Sequence, residues 1–127
     1  MLDTTFLIDL LKNNPSALAK AEEIDRKSVP VLTTSVTVFE LWQGVHDAPN
    51  EEKDRVLLLI DSFGLEKLDL DAAKEAGAIF DSLRKKGEEI GVEDCMIAGI
   101  AKTRGEVLLT KNIKHFKRVA GLQIESY

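Results

Sequence analysis

The chain has 127 residues, 44% hydrophobic and 31% charged, a composition that fits one folded domain with one core and excludes a disordered or fibrous chain. A formal net charge of −5 argues against gripping nucleic acid by bulk electrostatics, and the single cysteine, Cys95, excludes a disulfide framework and a cysteine-based zinc site. Asp3 and Asp9 interrupt the first ten residues, and no apolar run nears the roughly 18 residues of a membrane span, so a cytoplasmic protein without a membrane partner is expected.

In chain order, Met1-Leu2 reads as a stub of strand ending at Asp3, and Thr4 to Leu11 has the helical pattern of Phe6, Leu7, Leu10 and Leu11. Only two residues precede Asp3, which is consistent with a native start upstream of Met1. Asn14-Pro15 is a cap followed by a first-turn proline, and Leu18, Ala21 and Ile24 face that helix inward. Val31 to Thr33 predicts a short buried strand, and Thr34-Ser35 a cap for a helix running to about Gly44 that carries Glu40 and Trp42. Trp42, beside apolar neighbours, is expected in the core or on a dimer surface. Asn50, Glu51 and Glu52 open a fourth helix with apolar Val56, Leu57 and Ile60.

Leu65 to Leu68 is expected as a strand, after which Asp71 caps an amphipathic helix with Ala72, Ala73, Ala76, Ile79, Phe80 and Leu83 on one face and Gly87 past its end. A helix then begins near Val92, with Glu93 and Asp94 in its first turn above the apolar stripe of Ile97, Ala98 and Ala101. Gly105 ends the turn, Val107 to Leu109 is an apolar strand stopping at Thr110, Lys111 to Val119 is a loop or short helix, and Leu122 to Ile124 is a last strand. Short apolar strands alternating with longer helices predict an α/β domain of three layers, with a parallel sheet covered on both faces. Ligands of such sheets bind outside the carboxyl ends of the strands. Asp3, Thr34 and Thr110 follow strands, and Asp94 would share their crevice if the first and fourth strands are neighbours.

Carboxylates gathered in one crevice repel each other, and burial raises the cost of ionising them. Glu40, flanked by Val38, Phe39, Leu41 and Trp42, also needs a partner. Oxygen-only ligands without a cysteine or a histidine pair suit Mg²⁺ or Mn²⁺, and such sites serve phosphate chemistry. The charge is unevenly spread: residues 1–101 hold 11 basic and 20 acidic side chains, whereas Lys102 to Arg118 holds six basic and one acidic.

The stretch from Asp3 to Leu11 resembles the opening motif of PIN-domain ribonucleases, Val38-Phe39-Glu40-Leu41 their second acidic motif, Gly91 to Ala98 their third, and Leu108 to Phe116 their fourth. The four motifs run in the family's order through the whole chain, and the length matches the VapC toxins of prokaryotic toxin–antitoxin pairs. This resemblance implies a five-stranded parallel sheet, Mg²⁺- or Mn²⁺-dependent cleavage of RNA, a homodimer and a VapB-type antitoxin partner. It implies Asp3 and Asp94 as metal ligands and Glu40 as a ligand or a base orienting water. Thr5 would hydrogen-bond a ligand carboxylate, Thr110 and Asn112 would line the phosphate path, and the basic residues from Lys111 to Arg118, Lys114 among them, would hold the RNA backbone. The fourth motif often supplies a further acid at the position of Asn112 or His115; neither is acidic here, which leaves a one-metal site open and His115 as a surface or RNA contact.

Three rival readings follow from the same acids. A haloacid-dehalogenase-like phosphatase would want an aspartate at position 5, where Thr5 stands. A receiver-like signalling domain would want a phospho-accepting aspartate at a strand end, whereas Asp54 and Asp61 lie in a helical pattern. A catalytically inactive PIN-like domain would bind RNA or an antitoxin without cleavage.

Overall fold

The first three residues of the chain sit in its middle. In the computed structural model, which describes residues 1–127, Leu2 donates its backbone N–H to Leu32 O at 2.7 Å on one side. On the other side, Leu109 N–H donates to Met1 O at 2.8 Å and Asp3 N–H to Leu109 O at 3.0 Å. Met1–Asp3 therefore runs between two parallel pairs, β1 (Leu32–Thr34) with β2 (Gly64–Glu66) and β3 (Leu108–Leu109) with β4 (Ile124–Glu125). The central segment is too short to form a ladder of its own, and a single parallel bridge, Leu2 to Leu109, links it to β3. The chain thus has two two-stranded sheets joined through residues 1–3, where a continuous five-stranded sheet was expected.

Successive side chains of a strand point to opposite faces, so these short strands feed two cores. Met1 and Leu108 enter one with Ile79, Leu83, Ile97, Ile100 and Phe116, drawn from α5 (Leu70–Lys85), α6 (Val92–Arg104) and α7 (Ile113–Phe116). Leu2 and Leu109 enter the other with Phe6, Leu7, Ala17, Leu41 and Val56, drawn from α1 (Thr4–Leu11), α2 (Pro15–Arg26), α3 (Ser35–Val45) and α4 (Asn50–Asp61). No helix is long and apolar enough to cross a membrane.

Several boundaries follow the local chemistry. The Asn14 side chain accepts from the N–H groups of Ser16 and Ala17 ahead of Pro15, and Thr34 accepts from Thr37 N–H to start α3. Gly105 closes α6 in the left-handed conformation, at φ +65°. Others shift. The cap of α5 is Asp69, which accepts from Ala72 N–H, and Asp71 lies two residues on as an exposed first-turn acid. β2 begins at Gly64 and β4 at Ile124, and Phe80, expected on the buried face of α5, is 36% exposed. Trp42 is neither core nor fully free, at 37% exposed, and Leu57 of α4 faces outward.

Asp69 also pairs with Arg104 of α6 at 2.7 Å, while Asp71 has no ionic partner. Thermal melts of Asp69→Ala and Asp71→Ala should therefore separate: the first lowers Tm because the helix loses its cap and its tie to α6, and the second leaves Tm near the wild type. Equal melting of the two would return the cap to Asp71.

Candidate active site

Asp3 stands at the N-cap of α1 in extended backbone (φ −77°, ψ 158°), yet its side chain makes no cap bond. The carboxylate turns inward. Its Oδ2 accepts from Thr5 Oγ1 at 2.8 Å and from Thr110 Oγ1 at 2.7 Å. The residue is 2% exposed, and Oδ1 lies outside these two side-chain bonds. Burial is the main cause that raises the Asp3 carboxyl above its ordinary pKa; the two hydroxyls pull it back, and the charge of Asp94 adds to the rise.

Glu40 projects from the second turn of α3 and is held by Thr4, whose hydroxyl contacts Glu40 Oε2 and lies 3.1 Å from Thr37 Oγ1. Each hydroxyl has one proton, so with Thr4 donating to the carboxylate, Thr37 donates to Thr4. Thr34 in turn contacts Thr37 Oγ1 at 3.1 Å. A buried line of threonines from the end of β1 thus steadies one acid. Burial, and then the charges of Asp3, Asp94 and Glu93, raise the Glu40 carboxyl, against the lowering bond from Thr4.

Asp94 occupies the first turn of α6. Its Oδ2 lies 3.1 Å from His115 Nδ1, and that nitrogen lies 2.9 Å from Asn112 Nδ2. Asn112 N–H donates to Thr110 Oγ1 at 2.9 Å. A chain of contacts, Asp3–Thr110–Asn112–His115–Asp94, therefore joins two acids 91 positions apart.

The sequence-predicted residues divide by place. The charge of Asp94 raises both the Asp3 and the Glu40 carboxyls, and that of Asp3 raises Glu40, so the three acids lie near one another. Thr5 supports Asp3 and also accepts from Lys111 N–H at 3.2 Å. Thr110 is fully buried behind Asp3, so its hydroxyl serves the carboxylate and does not line an open phosphate path. His115, expected as a surface or RNA contact, has a side chain 42% exposed and sets Nδ1 3.1 Å from Asp94 Oδ2.

The basic segment does not act as one patch. Lys102 is committed to Glu75, Arg104 to Glu66 and Asp69, and Arg118 to the carbonyls of Glu88 and Glu89, which leaves the exposed Lys114 and Lys117 free of such ties. Lys111 Nζ lies 3.1 Å from Asp9 Oδ2, which also accepts from Tyr127 OH at 2.9 Å. The bonds from Tyr127 and then Lys111 hold the Asp9 carboxyl below its ordinary range.

Four residues of this arrangement were not singled out as site residues from sequence: Thr4, Glu93, Asp9 and Tyr127. Glu93 was legible as half of a first-turn acidic pair. The others carry no local signal, because each matters through a partner more than 30 positions away.

The donors that a cation could use are the oxygens of Asp3, Glu40 and Asp94, with one imidazole beside them. No three His, Cys, Asp or Glu side chains are gathered closely enough to hold a metal ion by themselves. Hydroxyls buttress Asp3 and Glu40. A groove of about 530 Å³ includes Glu40 and runs between α1, α3 and α4 over Ile8, Leu11, Leu41, Val45 and Val56.

A family model described as "PIN domain" matches residues 1–122. Proteins named "tRNA(fMet)-specific endonuclease VapC" from Shigella flexneri and Salmonella typhimurium are 34% and 35% identical to this chain, over all of it and 96% of each relative. Among solved structures, DNA-bound VapBC from Salmonella typhimurium superposes with a TM-score of 0.88 at 33% identity, covering 99% of this chain and 96% of that one.

Proposed function

The chain belongs to the PIN-domain family, and from that premise we propose that it is a divalent-metal-dependent endoribonuclease, the toxin of a VapBC-type pair. The observation that carries this reading is that burial, with the charge of Asp94 on both and of Asp3 on Glu40, raises the Asp3 and Glu40 carboxyls, while a chain of contacts links Asp3 to Asp94. Such repulsion is relieved by a cation, and an all-oxygen set suits Mg²⁺ or Mn²⁺. The open geometry fits as well, since Mg²⁺ keeps several waters and takes only one or two carboxylates. Asp3 and Asp94 would hold such an ion, which would supply Lewis acidity and neutralise charge developing on a phosphodiester.

The chain's own side chains do the rest. Thr5 and Thr110 fix the Asp3 carboxylate by holding Oδ2, which directs Oδ1 to the crevice. His115 holds Asp94 where Nδ1 carries the proton and donates to Oδ2. Glu40, raised above the usual carboxylate range, is a better proton acceptor near neutral pH than an ordinary glutamate. With Oε2 occupied by Thr4, its Oε1 takes the proton from the attacking water. Lys111 and Lys114 meet phosphates at the rim. The same reading takes β2, β1, Met1–Asp3, β3 and β4 as one five-membered parallel sheet with the carboxylates at its edge.

A VapB-type antitoxin is the proposed partner. The groove beside Glu40 is apolar over Ile8, Leu11, Leu41, Val45 and Val56 and carries both acids, Glu40 and Glu52, and bases, Lys12 and Arg55, which suits an amphipathic helix with charges of both signs on its flanks. The relatives' name makes tRNA(fMet) the first RNA to try, and the reaction belongs in the cytoplasm.

Incubation of the purified chain with tRNA(fMet) and Mn²⁺ or Mg²⁺ should give discrete cleavage products, none with chelator, and none with Asp94→Asn. Equal cleavage by wild type and Asp94→Asn, or cleavage undiminished by chelator, would defeat the reading; a folded chain that binds the RNA but never cuts it would leave a binding role in its place.

A further inference from the structure

Lys111 leaves the end of the third strand beside the residues that hold Asp3. Its N–H donates to Thr5 Oγ1 at 3.2 Å, and that hydroxyl donates to Asp3 Oδ2 at 2.8 Å. Thr5 and Asp9 are four residues apart on one face of α1, and the Lys111 side chain spans that turn to set Nζ 3.1 Å from Asp9 Oδ2. The same oxygen accepts from Tyr127 OH at 2.9 Å. Three segments far apart in sequence, α1, the residues after β3 and the chain past β4, thus meet on one carboxylate oxygen.

We propose that Asp9 and Tyr127 are positioning residues for RNA binding: together they fix the Lys111 ammonium one turn of α1 beyond Thr5, where it meets a phosphate of the bound strand. The assignment rests on the ribonuclease reading and adds two residues to it.

A lysine in this place needs such a hold. Its long side chain loses much rotamer freedom when ordered, and an untied ammonium whose backbone sits beside Thr5 would be drawn by opposite charge to Asp3. The tie to Asp9 settles both before RNA arrives. The pair is also lopsided, with the Asp9 side chain 15% exposed and that of Lys111 60%. A strand approaching from solvent therefore meets the cation and not the acid. An ammonium has three donors, so one serves Asp9 and two remain for a phosphate.

Stability does not account for the arrangement. An ion pair with so exposed a base contributes little to folding. The Tyr127 ring stands edge-on to Phe6 with centroids 4.9 Å apart, a contact that phenylalanine would make equally well. What tyrosine alone supplies is the hydroxyl. Burial, and then the bond to Asp9, raise that hydroxyl above its ordinary range, so it keeps its proton and donates. The donation steadies Asp9 Oδ2, and Oδ2 steadies Lys111.

The test measures tRNA(fMet) binding in chelator over a salt series, and cleavage with Mn²⁺, for wild type, Tyr127→Phe, Lys111→Ala and the double variant. Tyr127→Phe should stay folded and weaken binding about threefold to tenfold, the cost of ordering one flexible side chain, with KM rising alike and kcat unchanged. It removes no charge, so the dependence of affinity on salt should keep its slope, whereas Lys111→Ala should make that slope shallower by about one. Adding Tyr127→Phe to Lys111→Ala should cost nothing further, because the hydroxyl acts only through the lysine. A merely structural tyrosine would instead give additive losses. Binding at wild-type strength by Tyr127→Phe or by Lys111→Ala, or a Tyr127→Phe loss that persists in the Lys111→Ala background, overturns the assignment and leaves the ribonuclease reading standing. A wild type that neither binds nor cuts the RNA overturns both.

Discussion

Asp3→Asn should abolish RNA cleavage and at the same time raise the melting temperature at neutral pH. The loss follows from removing one of the proposed cation-holding carboxylates. Changing residues that merely support a metal ligand costs 10–100-fold in affinity or activity, so loss of the ligand charge itself should cost at least about 100-fold. The gain in stability follows from burial. Asp3 is 2% exposed, and its carboxyl is raised chiefly because the charged form is desolvated, with Asp94 adding repulsion.

The sign of the pH dependence is set by that direction. A carboxyl whose folded pKa lies above its unfolded value keeps its proton in the native state after the unfolded chain has lost it. Between those two values the native state binds more protons, so stability falls as pH rises through the window that begins at the ordinary aspartate pKa and extends upward. At neutral pH the whole of that loss is present. A neutral carboxamide at position 3 does not suffer it, and its oxygen can still accept from Thr5 and Thr110. The expected gain is on the order of 1 kcal/mol, a rise of a few degrees in Tm. Glu40 is raised in the same direction, so some pH dependence survives in the variant. Melts of both proteins from mildly acidic to neutral pH decide the matter. If Asp3→Asn melts below the wild type at pH 7, burial of that charge is not the liability described. If it cleaves RNA at the wild-type rate, Asp3 has no part in the chemistry.

Gly99→Ala should be the most damaging single methyl in the chain. Alanine normally improves a helix by about 1 kcal/mol over glycine, and at Gly77, where no atom lies within 4 Å of the added Cβ, that gain should be seen. At Gly99 the same Cβ would stand 2.6 Å from Ala72 O, 2.8 Å from Ala76 N and 3.0 Å from Ala76 Cβ. Two of those neighbours are backbone atoms of α5 and cannot rotate away. Relief requires α5 and α6, the most extensively packed helix pair, to separate. Overpacking of this kind costs about 2–3 kcal/mol, so a fall in Tm of roughly 10 °C is expected. Because Asp94 lies on the same helix, the displacement should also lower cleavage per folded molecule. A Gly99→Ala protein that melts at or above the wild type would mean that the two helices have slack the distances deny.

Much of this was legible locally. Asn14-Pro15, Thr34 and Gly105 announce helix ends through chemistry confined to a few residues, and the structure uses all three as caps. Where two local signals competed, the reading erred. Asp69 and Asp71 are both acceptable caps, and the choice of Asp69 goes with its pairing to Arg104, 35 positions away. Phe80 fits the apolar stripe of α5 by spacing, yet its side is left open because α6 covers only the face of Ala72, Ala76, Ile79 and Leu83. The expected continuous sheet depended on a first strand that has two residues ahead of Asp3, enough for hydrogen bonds to both neighbours and not for a ladder.

The amino-acid order alone determined the element types, the apolar alternation that feeds two cores, and the identity of three acids standing beside apolar segments. Those properties come from interactions reaching four residues or fewer along the chain. Folding decided what those acids face: Thr110 behind Asp3, Thr4 against Glu40 and His115 against Asp94 are contacts across 107, 36 and 21 positions. Hydrogen bonding and charge act through space, so only the closed chain fixes which oxygen is held, which is left to the crevice, and how strongly each carboxyl resists ionisation.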